Sequence, residues 1–123
     1  MANSQFRSKR KVSGTKYNNI RKKRAMELAG VSALTNIGKQ RVKIKRTRGG
    51  NIKKSLLVGE NVCVNQNDKT IKLKILSVVN NPANINWTRR NIISKGCIVR
   101  TQKGDVRITS RPGQEGALFG VFI

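Results

Sequence analysis

Apolar and polar positions begin to alternate at residue 41, and the alternation recurs to the end of the chain. In RVKIKR, residues 41–46, Val42 and Ile44 fall on one side of an extended backbone while Arg41, Lys43 and Lys45 fall on the other, because successive side chains of a strand alternate faces. TIKLKILSVV, residues 70–79, is the clearest instance: Ile71, Leu73 and Ile75 share a face opposite Lys72 and Lys74. The pattern predicts strands over 41–48, 54–58, 61–64, 70–79, 96–101, 105–109 and 117–122. Between them stand Gly59, Asn65-Gln66-Asn67-Asp68, Asn80-Asn81-Pro82, Gly104 and Pro112-Gly113. Glycine and asparagine tolerate positive φ, and proline presets a turn and cannot donate to a ladder. The expected core is Val42, Ile44, Ile71, Leu73, Ile75, Val99, Val106 and Ile108. Short strands with no long amphipathic helix between them indicate an all-β class. The expectation is a small β-barrel body over residues 38–123, closed because open edges are costly.

Residues 1–37 read differently. Up to residue 24 the apolar residues are Met1, Ala2, Phe6, Val12, Tyr17 and Ile20, without sustained periodicity and without an acid among them. Such a segment cannot bury enough surface to offset an ordering cost of about 1–2 kcal/mol per residue. It is expected to be an extended basic N-terminal arm, disordered when free. The pattern allows a short helix over 20–28, where Ala25, Met26, Glu27 and Leu28 are good formers and Gly30 is a natural stop. VSALTNIG, residues 31–38, reads as a connecting loop.

Charge narrows the function. The 123 residues suit one domain, and a hydrophobic fraction of 37% suffices for one small core. Lys and Arg number 27 against five acids, a formal charge of +22. Self-repulsion on that scale weakens the compact state, so a polyanionic partner is implied. A membrane is disfavoured, because no apolar run reaches the roughly 18 residues of a spanning helix. The start, MANSQFRSKRKVSG, lacks the apolar core of a secretory signal. Its apolar residues are also too sparse for the amphipathic helix of a mitochondrial presequence. Nucleic acid leads.

The chemistry of an enzyme is missing. The chain has no His, and Glu27, Glu60, Asp68, Asp105 and Glu115 are scattered among turns and charged surroundings, so no tuned acid/base pair suggests itself. Gly49-Gly50 lacks the Lys-Ser/Thr and the helix of a nucleotide-binding loop. Cys63 and Cys97 read as small buried hydrophobes in strands. Neither a disulfide nor a zinc site is expected from two thiols without histidine. No cofactor, no metal and no small-molecule substrate are expected.

Phosphate contacts remain. Arg and Lys neutralise phosphates, and Arg also forks onto two oxygens or stacks on a base. The candidates in the arm are Arg7, Lys9, Arg10, Lys11, Lys16, Arg21, Lys22, Lys23 and Arg24. In the run 41–54 they are Arg41, Lys43, Lys45, Arg46, Arg48, Lys53 and Lys54. Gly49 and Gly50 serve either turn geometry or a close approach of another backbone, and both readings stay open. Arg89 and Arg90 form a further pair beside Trp87. Trp87 is assigned first to the core, since one Trp, one Tyr and three Phe are all the aromatics available. That scarcity argues against a platform stacking successive single-stranded bases and for recognition of folded nucleic acid by shape and phosphate.

Several strings resemble one family, the archaeal and eukaryotic small-subunit ribosomal protein S8e. They are Thr35-Asn36-Ile37-Gly38, Lys45-Arg46-Thr47-Arg48-Gly49-Gly50-Asn51, Asn81-Pro82-Ala83-Asn84, Arg89-Arg90-Asn91-Ile92-Ile93-Ser94-Lys95-Gly96 and Thr109-Ser110-Arg111-Pro112-Gly113-Gln114-Glu115-Gly116. They occur in the family's order over most of the chain, whose length is similar to that of the short archaeal members. Departures fall near the N-terminus, at Ser13-Gly14-Thr15 and at Ala29 before Gly30. The resemblance implies a β-barrel body, a basic arm and a structural role on small-subunit rRNA, beside neighbouring small-subunit proteins in cytoplasmic ribosomes. It adds Lys95 and Arg111 to the candidate contacts. Two other functions fit the composition: a chromatin or DNA-architectural protein, and a factor that binds RNA transiently during processing.

Overall fold

The computed structural model describes residues 4–66 and 69–123. Two compact units are present, Met1–Ser32 and Ala33–Ile123. In the first, no described residue is buried. Ser4 bridges to Leu28 and Arg10 to Lys16 as isolated antiparallel pairs. Ala25–Glu27 forms a single 3-10 turn, the only helical piece among the described residues of the 20–28 segment. Arg24 offers no side-chain cap to that turn, and Met26 is exposed. A helix this short, uncapped and with nothing to bury, does not propagate.

The second unit carries the strands β1 (Asn36–Ile37), β2 (Arg41–Arg46), β3 (Ile52–Gly59), β4 (Asn61–Gln66), β5 (Lys69–Asn80), β6 (Ile98–Thr101), β7 (Asp105–Ile108) and β8 (Phe119–Phe122). Two short helices, α1 (Ile85–Arg89) and α2 (Pro112–Glu115), interrupt them. Strands β4 to β8 close into a five-stranded barrel in sequence order. Neighbours are antiparallel except at the seam, where β8 runs parallel to β4 with Cys63 opposite Phe119. The expected all-β barrel is therefore present. Its interior holds Val62, Val64, Leu73, Ile75, Val78, Cys97, Val99, Val106, Ile108 and Leu118.

The other three strands form a separate sheet in the order β1-β3-β2. One residue, Glu60, separates β3 from β4, and Leu56 at the base of β3 belongs to the same buried cluster as the barrel interior. The segment read as a loop contains β1, which pairs parallel with Val58 and Gly59. Buried Thr35 fastens it: its Oγ1 donates to the Leu56 carbonyl at 2.6 Å, and its own carbonyl accepts from the Ile93 amide at 2.8 Å.

One expectation about the core is corrected, and the structure adds a feature that the pattern did not show. Ile44 is not buried but 64% exposed, because the outer part of β2 projects beyond the layer that covers Val42. In β5 the alternation breaks: Leu73 and Ile75 are buried, and the next buried residue is Val78. A register shift between Ile75 and Ser77 inserts an extra residue and turns Val78 inward. Leu76 stays on the outer face with Lys72 and Lys74 and is exposed.

The connection from β5 to β6 is built by asparagines. Buried Asn81 donates through Nδ2 to the Ile92 carbonyl at 3.0 Å. Its Oδ1 accepts from the Ala83 amide at 3.1 Å and from Ser94 Oγ at 2.9 Å. Asn84 caps α1 through the Asn86 amide at 2.9 Å, satisfying one of the free donors at a helix start. Asn91, at φ 50°, accepts from the Val78 amide at 3.1 Å. Trp87 on α1 is half-buried. Cys97 is buried, Cys63 is half-buried, and both are free thiols.

Candidate nucleic-acid interface

Strands β2 and β3 form an antiparallel hairpin whose register pairs Val42 with Leu56, Lys43 with Ser55, Ile44 with Lys54, Lys45 with Lys53 and Arg46 with Ile52. Residues directly opposite one another share a face of the ladder. One face therefore carries Lys43, Lys45 and Lys53. The other carries Ile44, Arg46, Ile52 and Lys54.

Near the barrel the ribbon is well seated. Val42 is half-buried and Leu56 buried, and Ser55 Oγ donates to the Gly113 carbonyl of α2 at 2.7 Å. Helix α2 begins with buried Pro112 and ends at Gly116 in the left-handed region, φ 72°. A Cβ on Gly116 would lie 3.0 Å from Lys54 Cβ, so this glycine lets the helix end close onto β3. The string around Arg111 to Gly116 thus anchors the hairpin.

Away from that base, residues 43–46 and 52–54 are all exposed. The turn closes through Thr47, whose amide and Oγ1 both donate to the Asn51 carbonyl, at 2.7 and 3.0 Å. Gly49 and Gly50 both hold positive φ, 76° and 79°, and a Cβ on Gly50 would meet open space. The turn itself requires these glycines, and they leave the backbone beside Arg48 bare.

The distribution of acids isolates this ribbon. Glu60 pairs with Lys74 at 2.9 Å, Asp105 with Arg100 at 3.4 Å and Glu115 with Arg111 at 3.9 Å, while Glu27 pairs with Arg21. Every described acid is thus matched to a base outside the hairpin. Among the described residues, Arg41, Lys43, Lys45, Arg46, Arg48, Lys53 and Lys54 have no acidic partner.

The remaining candidates are placed elsewhere. Arg89 lies on α1 and Arg90 caps its end. Lys95 is exposed in the turn before β6, and Arg111 is partly neutralised by Glu115. In the N-terminal unit, Arg7, Lys9, Arg10, Lys11, Lys16, Arg21, Lys22, Lys23 and Arg24 are all exposed. Some are held internally: Arg7 donates to the Asn18 carbonyl at 2.5 Å, and Arg10 to the Gly14 carbonyl at 2.7 Å. The Arg7 guanidinium stands 4.4 Å from the Tyr17 ring centre and that of Arg21 4.8 Å from Phe6, within cation–π range. The hydrogen bond from Arg21 holds the Glu27 carboxyl below its usual range and raises Arg21.

Sequence reasoning missed Ile44 and Ile52, which stand 64% and 62% exposed on one face of the ribbon. Alternation assigned Ile44 to the core, and Ile52 lay outside the predicted strand. The signal was Arg46 and Arg48, on the same parity as Ile44 and therefore on a face that could not be wholly buried.

Among the described residues no group of three or more His, Cys, Asp or Glu comes together to hold a metal ion, and no helix is long and apolar enough to cross a membrane.

Comparison with known proteins identifies the family. The family model described as "Ribosomal protein S8e" matches residues 4–123. A protein of Nanoarchaeum equitans named small ribosomal subunit protein eS8 is 43% identical over 123 residues, covering 97% of this chain and 95% of its own length. Proteins of the same name from Methanospirillum hungatei and Staphylothermus marinus are 45% and 46% identical, covering 97% and 93% of this chain and 97% and 91% of their own lengths. The chain belongs to the ribosomal protein S8e family.

Proposed function

We propose that this chain is a structural constituent of the small ribosomal subunit that binds and stabilises folded small-subunit rRNA, and that it performs no catalysis. The observation that carries the proposal is the β2–β3 hairpin: a ribbon of seven basic residues, Arg41 to Lys54, from which every described acid is withheld. Phosphates supply the counter-charge that the chain does not. The cationic arm adds a second set of contacts, whose ordering is driven by binding. The geometry suits recognition of shape and backbone, since the exposed donors are ammonium and guanidinium groups spaced along a ladder. Neighbouring small-subunit proteins and a cytoplasmic ribosomal location follow from the family.

The test is co-sedimentation. A structural constituent stays with small subunits through a high-salt wash. A chromatin protein or a transient processing factor is released by the wash or is absent from the subunit fraction, and either result would remove the proposal.

A further inference from the structure

The outer part of the hairpin is exposed on both faces, which is not how a strand at the surface of a globular body is built. An antiparallel sheet at a surface packs one face and wets the other. Here Lys43, Lys45 and Lys53 stand free on one side, and Ile44, Ile52, Arg46 and Lys54 on the other. A two-stranded ribbon alone is marginal in water, and this one also opposes Lys45 to Lys53 and exposes two isoleucines. Covering either face alone leaves the other defect in place.

We infer that the hairpin is inserted between two separate segments of rRNA, with a phosphate backbone on the lysine face and the shallow minor groove of a helix on the isoleucine face. This rests on the reading of the hairpin as an rRNA-binding element. The two faces differ in chemistry and so in what they fit. The lysine face offers point charges only, which suits a row of phosphates.

On the other face, Ile44 and Ile52 lie diagonally across the ladder, with Arg46 and Lys54 at the alternate corners. An A-form minor groove is wide and shallow and presents sugars between two phosphate rows. Cations at opposite corners reach the two rows, and the aliphatic diagonal rests on the sugar edges between them. The absence of any described acid from this face argues against a basic protein as its occupant.

Photocrosslinking from the full chain in assembled small subunits tests this directly. The photoreactive residue p-benzoylphenylalanine is placed at Lys45 or at Ile44, adjacent positions on opposite faces. The expected result is crosslinks from the two positions to rRNA nucleotides in two segments distant in secondary structure. In addition, Ile44→Ser with Ile52→Ser should lower affinity for the rRNA several-fold while leaving its salt dependence unchanged. Crosslinks from both positions to one segment overturn the inference, as does a crosslink from position 44 to a protein or to nothing. In those cases the crosslink from position 45 keeps the rRNA reading intact. If position 45 also fails to crosslink to rRNA, both the inference and the assignment of the hairpin to rRNA fall.

Discussion

Lys45 stands directly opposite Lys53 across the β2–β3 ladder, two ammonium groups facing each other with no acidic partner among the described residues. Like charges directly opposed on one face destabilise a ladder. The free hairpin carries that cost, and a phosphate placed between the two lysines would turn it into an attraction.

Replacing Lys53 with Glu should therefore act in opposite directions on the free and bound protein. In the free protein the new pair stabilises the ladder, and hydrogen exchange of amides in β2 and β3 should slow. Affinity for small-subunit rRNA should fall, because one phosphate contact is lost and a repulsion is added. Slower exchange with unchanged affinity would place the RNA elsewhere.

Gly120 on β8 is required by the closure of the barrel. A Cβ there would lie 2.5 Å from Val106 Cγ1 and 2.8 Å from the Arg107 carbonyl oxygen. The second of these is backbone of the paired strand and cannot rotate away. Gly120→Ala should cost about 1–3 kcal/mol, the range for overpacking, read as a lower denaturation midpoint with an unchanged m-value.

Asn81 is buried, and both ends of its side chain are used. Asn81→Ala removes partners from the Ile92 carbonyl, the Ala83 amide and the Ser94 hydroxyl together. The expected loss is about 1–3 kcal/mol, the cost of leaving buried polar groups unmet. Chemical denaturation measures it.

The two thiols should separate by reactivity. Burial pushes the Cys97 thiol above its ordinary pKa, so at mildly alkaline pH less of it is the nucleophilic thiolate, and the core shields it as well. Alkylation of the folded protein followed by mass spectrometry should modify Cys63 only, and denaturant should expose both. Raising the pH within the folded range should increase labelling of Cys97 only at values above those at which an unburied thiol ionises.

Legibility of the sequence depended on whether local pattern and tertiary packing agreed. Leu73, Ile75, Val99, Val106 and Ile108 lie inside the barrel as their alternation implied. The alternation failed at Val78, buried on the parity of Lys72 and Lys74, because a bulge carries no signature in residue type, only in the shifted parity of the residues beyond it. It failed at Ile44 because a ribbon that protrudes from its body has no buried face, whatever its pattern. Asn81 was legible as a turn former, while its bonding to the Ile92 carbonyl, and that of Asn91 to the Val78 amide 13 residues away, was not. Of the candidate interface, the cluster from Arg41 to Lys54 was visible as charge. The withdrawal of Glu60, Asp105 and Glu115 into pairs with Lys74, Arg100 and Arg111 required the fold.

The salt dependence of binding to small-subunit rRNA tests the hairpin's role most directly. Each phosphate contact contributes about 0.7–0.9 to the slope of log K against log salt. Lys45→Ala with Lys53→Ala should therefore weaken binding and flatten the slope by about 1.5. Lys72→Ala with Lys103→Ala removes the same charge from exposed positions on β5 and in the β6–β7 turn, and should change neither quantity appreciably. Equal losses from the two double variants would contradict the account, because binding would then follow total charge and not the hairpin.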